Sequence, residues 1–180
     1  RETSKVPKYD KECGVGLNGT RAKPQPIPAK FFTWNAVALK AVQDSGLSSL
    51  KPKDMSKWFS TTNPTPQDWV NLLSGMICAE SHYNPNETYQ EDHKLLKNNS
   101  GGVVVSTGLL QISKDSLAGY KFNEFKNPTT QQLKNPEYNI RAGAYILSAL
   151  IKQDNYISSK TCNSSKCWKG GARYWSVLRY

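Results

Sequence analysis

Between positions 31 and 44, apolar side chains return every three or four residues. Phe31, Trp34, Val37, Ala38 and Ala41 share that spacing, and Gly46 stands where such a helix would stop. The spacing predicts a helix with one face turned to a core. A second stripe, Trp69, Leu72, Leu73, Met76 and Ile77, has sharper boundaries. Thr65 suits the N-cap, Pro66 suits the first helical position, and Asp68 completes a capping box. Tyr83-Asn84-Pro85 ends that run. A third helix is predicted from Asn135-Pro136-Glu137, again a cap followed by proline, through Tyr138, Ile140, Ala142, Tyr145, Ile146 and Ala149 to about Gln153.

The pattern differs elsewhere. Residues 86–102 are polar, 103–105 form a short β-like run, and Ser106-Thr107-Gly108-Leu109-Leu110-Gln111-Ile112 follows. Residues 47–64 read as a connector, with Trp58 and Phe59 packed onto the core. In residues 1–30, Pro7, Pro24, Pro26 and Pro28 with Gly14, Gly16 and Gly19 deny a long helix or a central strand. The expectation is a mainly α, α+β protein: an irregular arm over 1–30 and one domain over 31–180, with a small β-like element in its middle.

Composition narrows the class. A chain of 180 residues is about one domain, able to bury roughly 70% of its unfolded surface. No apolar run approaches the roughly 18 residues of a membrane span. No leader pattern is visible, so the sequence reads as a mature or trimmed form. The net charge of +10 comes from 24 Lys and Arg against 14 Asp and Glu. Such a surface draws polyanions: nucleic acid, anionic membrane, or a bacterial wall. The basic residues are scattered and carry no nucleic-acid-binding signature, so nucleic acid is not the expected partner.

Cys13, Cys78, Cys162 and Cys167 are even in number, and the last two close a short loop. There is no Cys-x-x-Cys pair, and the only histidines are His82 and His93. Two disulfides, Cys162 with Cys167 and Cys13 with Cys78, are therefore favoured over free thiols or zinc. This implies an oxidising compartment, secreted or periplasmic. Neither a metal nor another cofactor is expected, and the protein is read as a monomer.

One residue carries candidate chemistry on physical grounds. Glu80 follows Met76, Leu73 and Trp69 by 4, 7 and 11 positions, which keeps it on the apolar face of its helix. It also falls in the last turn, where the helix dipole is negative. Both conditions disfavour the anion. A carboxylic acid that keeps its proton near neutral pH can protonate a glycosidic oxygen. The plain alternative is a helix-end glutamate that reaches water.

Three neighbouring motifs decide between those readings. Glu80-Ser81 followed by Tyr83-Asn84-Pro85 resembles the Glu-Ser motif of the soluble lytic transglycosylases and goose-type lysozymes. Gly108-Leu109-Leu110-Gln111-Ile112 resembles their Gly-Leu-Met-Gln motif. Asn135-Pro136-Glu137-Tyr138-Asn139-Ile140, with Gly143, Tyr145, Ile146 and Leu147, resembles their third motif. The resemblance covers about residues 65–155 in the family's order. It implies a lysozyme-like fold and cleavage of the β-1,4 bond between N-acetylmuramic acid and N-acetylglucosamine in peptidoglycan.

On that resemblance Glu80 is the general acid/base. Gly108, Leu110 and Gln111 line the glycan groove, with the small glycine letting sugar approach the backbone. Ser81 contacts an N-acetyl group or caps the helix end. Tyr145 offers its hydroxyl to the sugar or to Glu80, or packs in the core. The family's fourth motif has no clean match; Tyr174 or Trp175 stands nearest to its place. The segment 86–106 is longer than the family's usual link and supplies Glu87, Glu91 and Asp92. These side chains can orient water, or pair the ammonium of de-N-acetylated sugar.

The leading reading is thus a muramidase. A lytic transglycosylase, which uses the sugar's own 6-hydroxyl and leaves a 1,6-anhydro end, is the alternative. Ser113 supports it, because goose-type lysozymes carry an aspartate there. A non-catalytic wall-binding protein is the alternative of another class.

Overall fold

The computed structural model describes residues 33–52, 59, 61–91 and 103–159. The arm over 1–30, Trp58, Asp92, Tyr174, Trp175, Cys13, Cys162 and Cys167 lie outside the described residues.

Helix α1 spans Asn35–Asp44 and α2 spans Pro66–Ser81. Strands β1 (Thr88–Glu91), β2 (Val104–Thr107) and β3 (Ile112–Ser113) follow. Three more helices complete the described elements: α3 (Lys114–Tyr120), α4 (Thr130–Lys134) and α5 (Pro136–Ser159). Short 3-10 turns occupy Leu47–Ser49 and Asn123–Phe125. The fold is mostly helical with one small antiparallel sheet, as the pattern predicts.

α1 packs against both α2 and α5. Its core face is small, Ala38, Ala41 and Val42, which allows two larger stripes to close over it. Trp69, Leu73 and Ile77 come from α2, and Ile140, Leu147 and Ile151 from α5; each is at most 1% exposed. Phe59 sets its ring edge against Trp69 at 4.7 Å, as the connector reading anticipates for Phe59. Gly46 turns the chain at the end of α1 with φ +72, a region open to glycine at little cost. There the Ser45 carbonyl accepts the Ser148 hydroxyl at 2.8 Å, which pins α1 to α5.

The predicted start of α2 is present in detail. Asp68 N–H donates to Thr65 Oγ1 at 3.2 Å, and Thr65 N–H donates to Asp68 Oδ2 at 2.7 Å. Such a cap contributes about 1 kcal/mol. The first helix begins at Asn35 rather than Phe31, and the last runs to Ser159, past Gln153. Strands β1 and β3 and helices α3 and α4 were not predicted. Helix α3 buries a single apolar anchor, Leu117, and α4 only Leu133, so neither is long enough to display a period.

The sheet has the order β1-β2-β3. Thr88 faces Thr107 and Glu91 faces Val104 across the first ladder, and Ser106 faces Ser113 across the second.

Candidate active site

Glu80 lies in the last turn of α2 and is half-buried, the two conditions that single it out in the sequence. The chain then leaves the helix abruptly. His82 and Tyr83 both take left-handed backbone, φ 51 and 62. For side-chain-bearing residues this costs roughly 1–2 kcal/mol each. Several contacts hold the turn: His82 N–H donates to the Cys78 carbonyl at 2.9 Å, and the buried Tyr83 hydroxyl meets Ser74 Oγ at 3.1 Å. Burial raises the Tyr83 pKa, and the Ser74 hydrogen bond opposes the rise in part. Cys78 itself is buried. The strained turn thus sits directly beneath the candidate acid.

Past the turn, residues 84–87 form a compact link. Glu87 N–H donates to the Asn84 carbonyl at 3.2 Å, and Asn84 Nδ2 donates to Glu87 Oε2 at 3.1 Å. The Glu87 carbonyl then accepts two donors from the second motif, Gly108 N–H at 2.8 Å and Gln111 Nε2 at 3.1 Å. Gln111 Nε2 also reaches the Gly108 carbonyl at 2.9 Å. The first and second motifs are therefore joined through one backbone carbonyl, seven residues after Glu80.

The second motif is seated on the third by Asn139, a residue not singled out for a site role in the sequence. Asn139 is fully buried. Its Oδ1 accepts Leu110 N–H at 2.8 Å, and its Nδ2 donates to the carbonyls of Thr107 at 3.0 Å and Leu133 at 2.7 Å. Gly108 (φ +82) lies so close that a Cβ there would overlap the Leu133 carbonyl and Asn139 Nδ2. One turn along α5, a Cβ on Gly143 would overlap Leu110 Cδ1.

The surroundings of the expected site residues are now visible. The close approach that Gly108 permits is made by the Leu133 carbonyl and the Asn139 side chain. Leu110 is buried, with its side chain against Gly143, which anchors the groove motif. Ser81 is buried and its hydroxyl donates to the Ile77 carbonyl at 3.1 Å, the helix-end role. Gln111 has Nε2 committed to two carbonyls, while its Oε1 is buried and accepts no hydrogen bond. Tyr145 packs edgewise against Phe122 at 5.6 Å and Phe125 at 5.2 Å, the core role. Burial, then the Glu124 and Asp44 carboxylates, raises its pKa and keeps the phenol neutral.

The sheet supplies what periodicity did not reveal. Tyr89, Ser106 and Ser113 pair across the three strands into one cross-strand row, so a strip of hydroxyl-bearing residues crosses one face. Ser106 and Ser113 are buried. Glu91 ends β1, two positions along the strand from Tyr89. Ser113 also caps α3, accepting Ser116 N–H at 3.1 Å. Among the described residues no group of three metal-ligating side chains occurs, and no helix is long and apolar enough to cross a membrane.

The interlocked motifs coincide with a known family. The sequence model described as the transglycosylase SLT domain matches residues 57–165. The chain belongs to that family. As an SLT domain it is a peptidoglycan-cleaving enzyme of the lytic-transglycosylase type. Solved structures of Bd0314 DslA resemble this SLT chain closely. The wild-type form is 31% identical over 84% of this chain and 82% of that one, with a TM-score of 0.64. Two variants of DslA, each with a single glutamate changed to glutamine, match at 30% identity and the same TM-score. One covers 84% of this SLT chain and 82% of that one, the other 85% and 83%. These relations carry the lysozyme-like fold to this chain. No curated protein matches it.

Proposed function

We propose that this protein is a secreted or periplasmic muramidase that hydrolyses the β-1,4 bond between N-acetylmuramic acid and N-acetylglucosamine, with Glu80 as general acid. Glu80 gives its proton to the glycosidic oxygen as the bond from that oxygen to the anomeric carbon breaks. Water, oriented by an acidic side chain of β1 or its approach, adds to the anomeric carbon and gives up a proton to that carboxylate. The observation that carries this reading is a second carboxylate at a matching spacing. Glu91 stands eleven residues after Glu80, and the two DslA variants replace glutamates that are also eleven apart. Both positions invite the same experiment here.

The same strand supports a preference for de-N-acetylated glycan. Glu87, Glu91 and Asp92 follow one another closely in the segment between the first and second motifs of a strongly basic chain. A carboxylate that pairs a glucosamine ammonium in a partly dry cleft contributes about 1–3 kcal/mol, or roughly 5- to 150-fold in rate if it acts in the transition state. Matched acetylated and de-N-acetylated sacculi, digested side by side, test this. The de-N-acetylated wall should be cut faster, and the preference should vanish when Glu87, Glu91 and Asp92 become amides. Faster cutting of acetylated wall would exclude it.

A second reading keeps the groove and changes the nucleophile. Attack by the muramic 6-hydroxyl would leave 1,6-anhydro ends. Ser113 favours it, because the place where goose-type lysozymes carry an aspartate is occupied here by a buried helix cap. Mass spectrometry of the products separates the two, and anhydro ends alone would refute hydrolysis. We further propose a monomer whose catalytic domain is 31–180, with Cys78 paired to Cys13, Cys162 to Cys167, and Tyr174 at the sugar.

A further inference from the structure

A cavity of about 570 Å³ opens between Asn86 and the junction of α4 with α5. Its size falls in the roughly 300–1,000 Å³ range of small-molecule sites. It lies outside the Glu80 groove but adjoins it, because Asn86 directly precedes Glu87, whose carbonyl holds the Gly108 turn. Its lining is rich in donors. Gln132 Oε1 is engaged by Thr129 N–H at 2.8 Å and Asn135 Oδ1 by Tyr138 N–H at 3.0 Å, which leaves the NH2 groups of both amides to donate. Lys134 and Arg141 add two cations. Among the described residues, Lys40 with Asp44 is the ion pair at contact distance, and neither Lys134 nor Arg141 takes part in one.

Arg141 is the telling member. Its guanidinium rests over the Phe125 ring, 5.7 Å from the centroid. Its Nε is buried and has no hydrogen-bond partner. A buried donor left unmatched is uncommon in folded proteins, and a guanidinium edge fits a carboxylate in bidentate fashion. Among the described residues of the lining, Glu137 is the one carboxylate. It repels a polymer that is anionic throughout and tolerates a ligand that carries an amine beside its carboxylates.

We propose that this cavity seats a carboxylate of the peptide stems attached to the glycan, with Arg141 and Lys134 as its cationic partners. The inference rests on the proposed glycan cleavage and adds a peptide subsite to it. A stem leaves the muramic sugar beside the bond that is cut, so a peptide site adjoining the groove would set the register of the strand.

The test is a nuclear magnetic resonance titration of the full chain with a synthetic stem tetrapeptide that bears free carboxylates and an amine. Its fully amidated counterpart and a polyglycerol phosphate run in parallel. The free peptide should shift amide signals of residues 129–141 and bind at least about tenfold more tightly than the amidated one. Arg141→Gln and Lys134→Gln should each weaken it. Both variants should cut peptide-free glycan at the wild-type rate and peptide-bearing glycan more slowly. Equal binding of the two peptides, binding unmoved by either substitution, or tighter binding of the phosphate polymer would overturn the proposal. If Arg141→Gln fails to fold, Lys134→Gln and the amidated peptide still decide it. A wild-type protein that cuts neither glycan would defeat the proposed function, while the titration would still judge the cavity.

Discussion

Asn139 Oδ1 accepts the backbone N–H of Leu110 at 2.8 Å from the interior of a long helix. One buried amide thereby fixes the height at which the groove motif sits above the helical core. Replacing it with leucine keeps the volume and strands three buried backbone groups, at Leu110, Thr107 and Leu133. At about 1–3 kcal/mol for each unsatisfied group, the loss should be on the order of 3–9 kcal/mol. Urea denaturation with an unchanged m-value should report it. A loss below about 1 kcal/mol would show that water or a rearranged turn takes over the amide's role.

Glu80→Gln should fold as the wild type does and lose at least about 100-fold in glycan cleavage, because the amide has no proton to give. Turbidity clearing of purified peptidoglycan, with circular dichroism as the folding control, measures both. Wild-type activity in the folded variant would remove Glu80 from the mechanism.

Gly143 and Leu110 form a contact suited to a double-mutant cycle. Gly143→Ala forces its methyl into Leu110 Cδ1, which should destabilise by about 1–3 kcal/mol. Leu110→Ala alone opens a cavity at a cost of about 2–5 kcal/mol. The double variant should cost less than the sum, since the new methyl occupies part of the void. Strict additivity would mean the two residues do not share that space.

Alkaline pH should act through Tyr83. Its pKa is raised in the folded state by burial, so the unfolded chain releases the phenolic proton first. The stabilisation is complete below about pH 10, the ordinary tyrosine value, and is lost as pH rises through the folded pKa. Thermal melts from pH 8 to 11 should decline over the last unit. Tyr83→Phe should flatten part of that decline, with Tyr138 and Tyr145, also raised chiefly by burial, supplying the rest.

Disulfide mapping without reductant should join Cys78 to Cys13 and Cys162 to Cys167. Reduction should lower stability by roughly 2–5 kcal/mol. A different partner for Cys78 would replace the proposed pairing.

The helical frame was legible because its signals are local and redundant. Thr65, Pro66 and Asp68 announce the start of α2 three times over, and its stripe repeats over more than two turns. Asn135 followed by Pro136 does the same for α5. The sheet was legible only in part: the run over 103–105 marks β2, but β1 reads Thr-Tyr-Gln-Glu, with no apolar alternation to betray it. The seating of the motifs on one another was not legible either. Gly108 and Leu110 suggest a groove, yet both are shaped by Asn139 and Gly143, 31 and 33 residues away in the chain. Contacts between motifs so far apart leave no periodic trace. A polar residue within an apolar helix stripe, such as Asn139 between Tyr138 and Ile140, was the available clue.

The link through the Glu87 carbonyl also bears on how this scaffold can diversify. Below the connection from β1 to β2, register is already fixed by the paired ladder and by the two donors on Glu87. The ends of that connection are thus anchored independently of its content. A change of length or charge between those anchors therefore has no covalent or ladder path by which to shift the end of α2, so the two can vary separately.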